Sequence, residues 1–151
     1  DKIIFSKDEW IEILWPPKAE NINIAQEDEN MSSLIIKVIL KDFSILITGD
    51  LGEEGEKLLL KEYNGTDKLK CDVLKIGHHG SKYSTSDDFL DAVSPQIAVI
   101  QVGKNNYGHP SKAVIEKLTN SGIIVCRNDL QGAVGISKKM NEYKIWTNID
   151  Y

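Results

Sequence analysis

The sequence predicts an α/β fold, in which helices layer a sheet that carries antiparallel hairpins at either end. Three observations lead there. Short apolar, strand-like runs outnumber helical stretches. Helices alternate with strands only between residues 43 and 126. Outside that window, strand follows strand across short turns.

Residues 2–5 (KIIF) and 9–15 (EWIEILW) read as two strands, and Pro16-Pro17 stops the second because proline cannot donate to a ladder. The stretch 18–33 is polar, has no helical stripe and is expected to be a loop or lid. Residues 34–40 (LIIKVIL) and 43–48 (FSILIT) are expected to be strands around a Lys41-Asp42 turn, apolar enough for burial on both faces. After Gly49-Asp50 the pattern predicts a helix from Glu53 to Tyr63. Leu58, Leu59 and Tyr63 form its apolar face, Glu53, Glu54 and Glu56 suit its amino end, and Asn64-Gly65 ends it. Residues 72–76 read as a buried strand, and Ser86 as the cap of a helix reaching Val93. Residues 97–102 (IAVIQV) form a strand closed by Gly103, and Ser111 caps a helix to Asn120 packed through Val114, Ile115 and Leu118. Residues 123–126, 133–137 and 142–147 are strands. The first two are expected to form a hairpin through an Asn-Asp turn and Gly132, and the last two are joined by KKMN.

The length of 151 residues suits a single domain, 1–151. Hydrophobic content of 41% and charged content of 27% are ordinary for a globular chain. The net charge of -5 argues against a surface that grips nucleic acid everywhere. It does not exclude an enzyme that meets phosphates through metal ions. Cys71 and Cys126 lie far apart with no C-x-x-C spacing and read as buried free thiols. No apolar run approaches the length of a membrane span and no signal-peptide pattern opens the chain. Asp1 leads almost at once into an apolar strand, which suggests an excised piece with its amino-terminal portion upstream and leaves cellular location open.

Three of the predicted strands end in glycine followed by polar residues: ILITG before Asp50, VLKIG before His78-His79, and IAVIQVG before the loop reaching His109. If these strands are parallel neighbours, the three loops share the sheet edge where α/β folds bind ligands. All three histidines of the chain then meet one carboxylate. Asp50 can bridge two cations, and His79 or His78 can give a nitrogen to one of them. His109 can pass a proton to a leaving group or hold a phosphate. Ser81 and Lys82 can meet substrate phosphate. Plainer readings stand beside these: Asp50 as a helix cap, solvent-facing His78 and His79, His109 packed on Pro110, Lys75 on a half-solvated face and Asp129 in a structural turn.

LITGD ending at Asp50, DVLKIGHHGS, AVSPQIAVIQVGKNNYGHPS and RNDLQGAVGIS occur in one order over residues 31–137. In these motifs the chain resembles the metallo-β-lactamase fold, and within it the hydrolase domain of ComEC-type competence (DNA uptake) proteins. The resemblance implies a four-layer αββα sandwich, incomplete in this chain, of which residues 1–151 are the carboxyl-terminal part. It implies two divalent metal ions, zinc or manganese, in the intact protein. It assigns Asp50 as the metal-bridging carboxylate and His79 as a ligand, since that ligand usually precedes a glycine. His78 stays open as a ligand or a second partner, and His109, Asn105 and Tyr107 fall in the GHP loop at the substrate. The fold's main H-x-H-x-D-H or H-x-D-x-D-H cluster is absent, because no histidine precedes His78.

The expected function is therefore that of a metal-dependent hydrolase, a phosphodiesterase or nuclease of DNA uptake, inactive as this chain alone and binding metal weakly or not at all. Its substrate would be DNA or another phosphodiester, its partner the missing amino-terminal portion. Self-association through an exposed sheet face is also expected. The alternatives are a non-catalytic binding or assembly module that keeps the fold, or a hydrolase of another ester, thioester or lactam.

Overall fold

The structure is a computed structural model that describes residues 1–16 and 29–149. Nine strands and four helices are seen among these residues: β1 (Lys2–Ser6), β2 (Glu9–Trp15), β3 (Ile35–Leu40), β4 (Phe43–Ile47), α1 (Glu53–Glu62), β5 (Val73–Lys75), α2 (Asp87–Val93), β6 (Ile97–Ile100), α3 (Lys112–Asn120), β7 (Ile124–Arg127), α4 (Asn128–Gln131), β8 (Val134–Lys139) and β9 (Glu142–Thr147). The fold is mixed α/β, as the alternation of apolar runs and capped helices predicts. Ser86 and Ser111 cap α2 and α3 as expected, accepting from Phe89 N and Val114 N, each at 3.3 Å.

Strands β1 to β7 form one sheet in sequence order. The first three pairings are antiparallel, and the pairings of β4 with β5, β5 with β6 and β6 with β7 are parallel. A parallel pair needs a crossover, and α1, α2 and α3 supply the three. Side chains alternate across the sheet. Leu46, Leu74, Ala98 and Ile100 pack with Leu59, Phe89, Leu90, Val93, Val114 and Leu118 in the helix-side core. Each of these except the small Ala98 contributes ~1.5–3 kcal/mol relative to exposure. On the other face Phe43, Val73, Ile97 and Cys126 lie under Val134, Ile136, Tyr143 and Ile145 of the β8–β9 hairpin.

Asp72 fastens that hairpin to the sheet. One carboxylate oxygen accepts from Lys138 Nζ at 2.8 Å and from the Tyr143 hydroxyl, and the other from Ser44 N at 2.7 Å and Ser44 Oγ at 2.9 Å. Burial raises the Asp72 pKa, but hydrogen bonds from Lys138, Tyr143 and Ser44 outweigh it and hold the carboxyl below its ordinary value. Cys71 and Cys126 are buried and free, as expected. Burial pushes the Cys71 thiol up to about 12.

Some expectations change. Residues 123–126 and 133–137 do not form a hairpin: β7 pairs with β6, and β8 pairs with β9. The intervening residues wind into α4 because side chains take the backbone partners a tight turn would need. Gln131 Oε1 accepts from Arg127 N at 2.7 Å, Asn128 Oδ1 accepts from Val102 N at 2.7 Å, and Asp129 pairs with Arg127 Nη2 at 2.6 Å. Asp129 is thus structural, as its turn position suggests. Strands β3 and β4 are not buried on both faces. Ile35, Phe43 and Leu46 are buried, but Val38 and Ile45 are only half-buried because the second face is covered unevenly. Most of the expected loop over 18–33 lies outside the described residues, and its final part, Glu29–Ser32, is a 3-10 turn. Among the described residues no helix is long and apolar enough to cross a membrane.

Candidate functional site

Parallel pairing of β4, β5 and β6 brings their carboxyl ends to one edge, and the three expected loops meet there. The loop after β4 presents Asp50. Gly49 has φ +54, and a Cβ on it would sit 3.0 Å from Ser33 Cβ, so glycine is required at this approach. The Asp50 amide donates to Ser33 Oγ at 3.0 Å. The Gly49 carbonyl accepts from His78 N at 3.1 Å and Lys75 Nζ at 3.0 Å. Lys75 is half-buried, as its place in the strand suggests. Burial lowers its pKa and the nearby Asp50 charge opposes this. The Asp50 side chain stays 44% exposed. It does not cap α1, whose N-cap is Gly52 with no side-chain hydrogen bond.

The loop after β5 is a tight 3-10 turn, Gly77–Gly80, containing two consecutive left-handed residues, His78 at φ 47 and His79 at φ 54. Such a backbone costs ~1–2 kcal/mol per residue that bears a Cβ, and strain of this kind clusters at functional sites. His79 Nδ1 lies 2.7 Å from the Gln101 carbonyl oxygen and Nε2 lies 3.6 Å from Asp50 Oδ1. A carbonyl only accepts, so Nδ1 carries the proton. Nε2 then points toward the carboxylate. Either an imidazolium paired with the carboxylate or a cation shared by the two atoms satisfies this geometry.

The loop after β6 is organised by Asn105. Its Oδ1 accepts from Tyr107 N at 3.0 Å and His109 N at 3.1 Å, and its Nδ2 donates to Gly103 O at 2.9 Å and His109 O at 2.8 Å. The His109 ring stands 5.8 Å from the His78 ring, edge to face. Burial, reinforced by the charges of His78 and His79, holds the His109 pKa below its ordinary value. Pro110 closes the assembly: a Cβ on Gly80 would lie 2.7 Å from Pro110 Cβ, and Ser111 N donates to Gly80 O at 2.8 Å. His109 is therefore not merely packed on its own proline; that proline seats the neighbouring histidine turn.

The remaining predicted residues separate. Ser81 is buried, and its hydroxyl accepts from Tyr83 N at 3.3 Å, so it shapes the turn. Lys82 is exposed, with Nζ 4.8 Å from the Tyr83 ring centre. Tyr107 projects into solvent at 84% exposure, near-parallel to the His109 ring at 24° with centres 6.0 Å apart. Sequence reasoning did not find Ser33, the Gln101 carbonyl or Glu56. Glu56 is a buried carboxylate on α1 that accepts from Thr85 N at 2.5 Å and Ser86 N at 2.8 Å. It pins the segment after the histidines to the helix after Asp50. Burial raises its pKa against those hydrogen bonds.

Two clefts flank the histidines. One of about 400 Å³ lies between Met31, the amino end of α1, His78 and Tyr83. The other, about 230 Å³, lies between His79, Lys104, Asn105, Tyr107 and His109. Among the described residues no group of three or more His, Cys, Asp or Glu is placed to hold a metal ion. Asp50 and His79 fit one side of a divalent ion; a complete set of ligands needs donors from elsewhere.

No family model matches the chain. It is 41% identical over 124 residues to competence protein ComA of Neisseria gonorrhoeae, a match covering 82% of this chain and 17% of that protein. It is 40% identical over 107 residues to ComE operon protein 3 of Bacillus subtilis, covering 70% and 13% respectively. It is 33% identical over 116 residues to recombination protein 2 of Haemophilus influenzae, covering 76% and 14%. The chain thus spans less than a fifth of the length of these relatives, at most 17%.

Proposed function

From the chain's kinship with a competence, DNA-uptake family, we propose that it supplies one side of a metal-dependent phosphodiesterase or nuclease site. The observation that carries this is the Asp50–His79 pair, with Nε2 freed toward the carboxylate by the Nδ1 contact to Gln101 O. A metal-bound histidine characteristically hands its other nitrogen to a carbonyl in this way. On this reading the chain is one half of a metallo-β-lactamase-like αββα sandwich. The remaining donors come from another segment of a longer protein.

Asp50 and His79 would hold zinc or manganese, with His78 on the same turn. The ion would lower the pKa of its water toward ~7 and stabilise charge on phosphoryl oxygens. The chain's own residues do the rest. His109 moves a proton at the substrate through its ring nitrogens, and Asn105 fixes the backbone on which that ring stands. Lys75 and Ser33 keep the peptide of Asp50 in place. Lys82 and Lys104 offer exposed positive charge to a phosphate chain. The exposed Ile3, Ile4 and Phe5 on the edge strand β1 make self-association, or docking of that other segment, the expected fate of this apolar rim.

The test joins the upstream coding sequence to the chain and assays single-stranded and duplex DNA with manganese or zinc. Hydrolysis by the joined protein, lost in Asp50→Asn and His79→Ala and absent from the chain alone, is the expected result. A metal-loaded joined protein that leaves every phosphodiester intact would sink the proposal. The two-donor count among the described residues favours a second reading, a non-catalytic assembly module. It predicts no stoichiometric metal in the joined protein, which elemental analysis decides.

A further inference from the structure

Beside the proposed metal site stands an aromatic ring that the phosphodiester chemistry does not need. Tyr107 is 84% exposed, yet it is not on a loose loop. Asn105 fastens its amide and both backbone groups of His109, so the ring is held out into water by a braced turn. One face lies near-parallel to the His109 ring. The cleft of about 230 Å³ beneath it is lined by His79, Lys104 and His109. The other exposed tyrosine near the site, Tyr83, differs: Lys82 Nζ already sits 4.8 Å over its ring.

Charge favours the same occupant. The chain carries -5 overall. Lys104 lines the cleft and Lys82 stands exposed on the neighbouring histidine loop; the nearest carboxylate, Asp50, lies on the far side of His79, 3.6 Å from its Nε2. A planar aromatic platform beside exposed lysines is the arrangement that takes an unpaired base next to its phosphate. Duplex bases are stacked on one another and offer no free face.

We infer that Tyr107 is a stacking platform for one unpaired nucleobase of a single-stranded nucleic acid whose backbone runs over the Asp50–His79–His109 edge. This rests on the phosphodiester reading and adds to it: the ring makes the site prefer single strands over duplex.

The experiment measures binding of the 151-residue chain to an eight-nucleotide oligothymidylate, to an abasic oligomer with the same phosphates, and to a duplex of equal length. The base-bearing single strand is expected to bind roughly 5- to 100-fold more tightly than the abasic oligomer. That ratio should persist in Tyr107→Phe and Tyr107→Trp and fall to about one in Tyr107→Ala, with the duplex no better than the abasic strand. Melting curves check that each variant of this exposed residue folds. A ratio near one in the unaltered chain, or unchanged in Tyr107→Ala, overturns the stacking role while phosphate binding stands. Failure of every oligomer to bind overturns it together with the reading beneath it.

Discussion

Replacing Asp72 with alanine tests how the β8–β9 hairpin is held against the sheet. The carboxylate takes four hydrogen bonds, from Lys138, Tyr143 and twice from Ser44. Asp72 and Lys138 side chains are each 15% exposed, so the pair is poorly screened. Breaking a buried pair by removing one member costs ~3–5 kcal/mol. The lower end applies, because Lys138 Nζ keeps a second acceptor, Asp42 O at 2.8 Å. We therefore expect a loss of about 3 kcal/mol, which in a domain of this size lowers Tm by about 6–12 °C. Urea unfolding of Asp72→Ala, Lys138→Met and the double variant gives the pairwise part from the cycle. The sign with pH follows from the lowered Asp72 pKa. The unfolded carboxyl titrates near ~3.9, so the contribution is complete above that value and fades as pH falls through the lower folded pKa. Amide exchange in β8 and β9 should accelerate more than in β4 to β7. A loss below about 1 kcal/mol, or an acid-unfolding curve unchanged by the substitution, would refute the clamp.

Gly80→Ala should destabilise by roughly 2–4 kcal/mol, since φ +80 disfavours a Cβ and the new atom would lie 2.7 Å from Pro110 Cβ; thermal melting reads this, and metal affinity should fall with it. His78→Gly should raise stability by about 0.5–1 kcal/mol by releasing a left-handed backbone; no gain in urea midpoint would mean the surroundings do not impose that conformation. Glu56→Ala leaves two amide donors without their acceptor, and ~2–4 kcal/mol of stability should go. Because the folded Glu56 pKa is raised, its protonation-linked contribution is complete below the unfolded value near ~4.3 and declines as pH rises through the folded one. The stability difference between Glu56→Gln and the unaltered chain should shift with pH in that window, and a flat difference would count against the assignment.

Much of the site was legible because strand ends announce themselves. ILITG, VLKIG and IAVIQVG each stop at glycine, and three parallel neighbours place their loops on one edge whatever the details between. Serine caps were readable for the same reason, since their chemistry is local. What escaped is contact without a side-chain signature or without proximity in the chain. The Gln101 carbonyl that orients His79 is backbone, identical in any residue. Ser33 reaches Asp50 across 17 positions. Glu56 looked like an amino-terminal helix charge, and only the return of residues 85 and 86 to α1 shows what it binds. The β7–β8 hairpin misled because Asn-Asp is common turn chemistry, yet Asn128 and Asp129 serve Val102 and Arg127.

The paired left-handed histidines have a consequence for descent. Glycine would sit at positions 78 and 79 with less strain, and asparagine tolerates that backbone better than most residues. A lineage that no longer uses the imidazoles gains stability by letting either one drift. Glycine or asparagine at these positions in a relative therefore marks a site released from its work. On the metal-site proposal, two histidines retained there are the expected cost in folding energy of keeping the imidazoles in place.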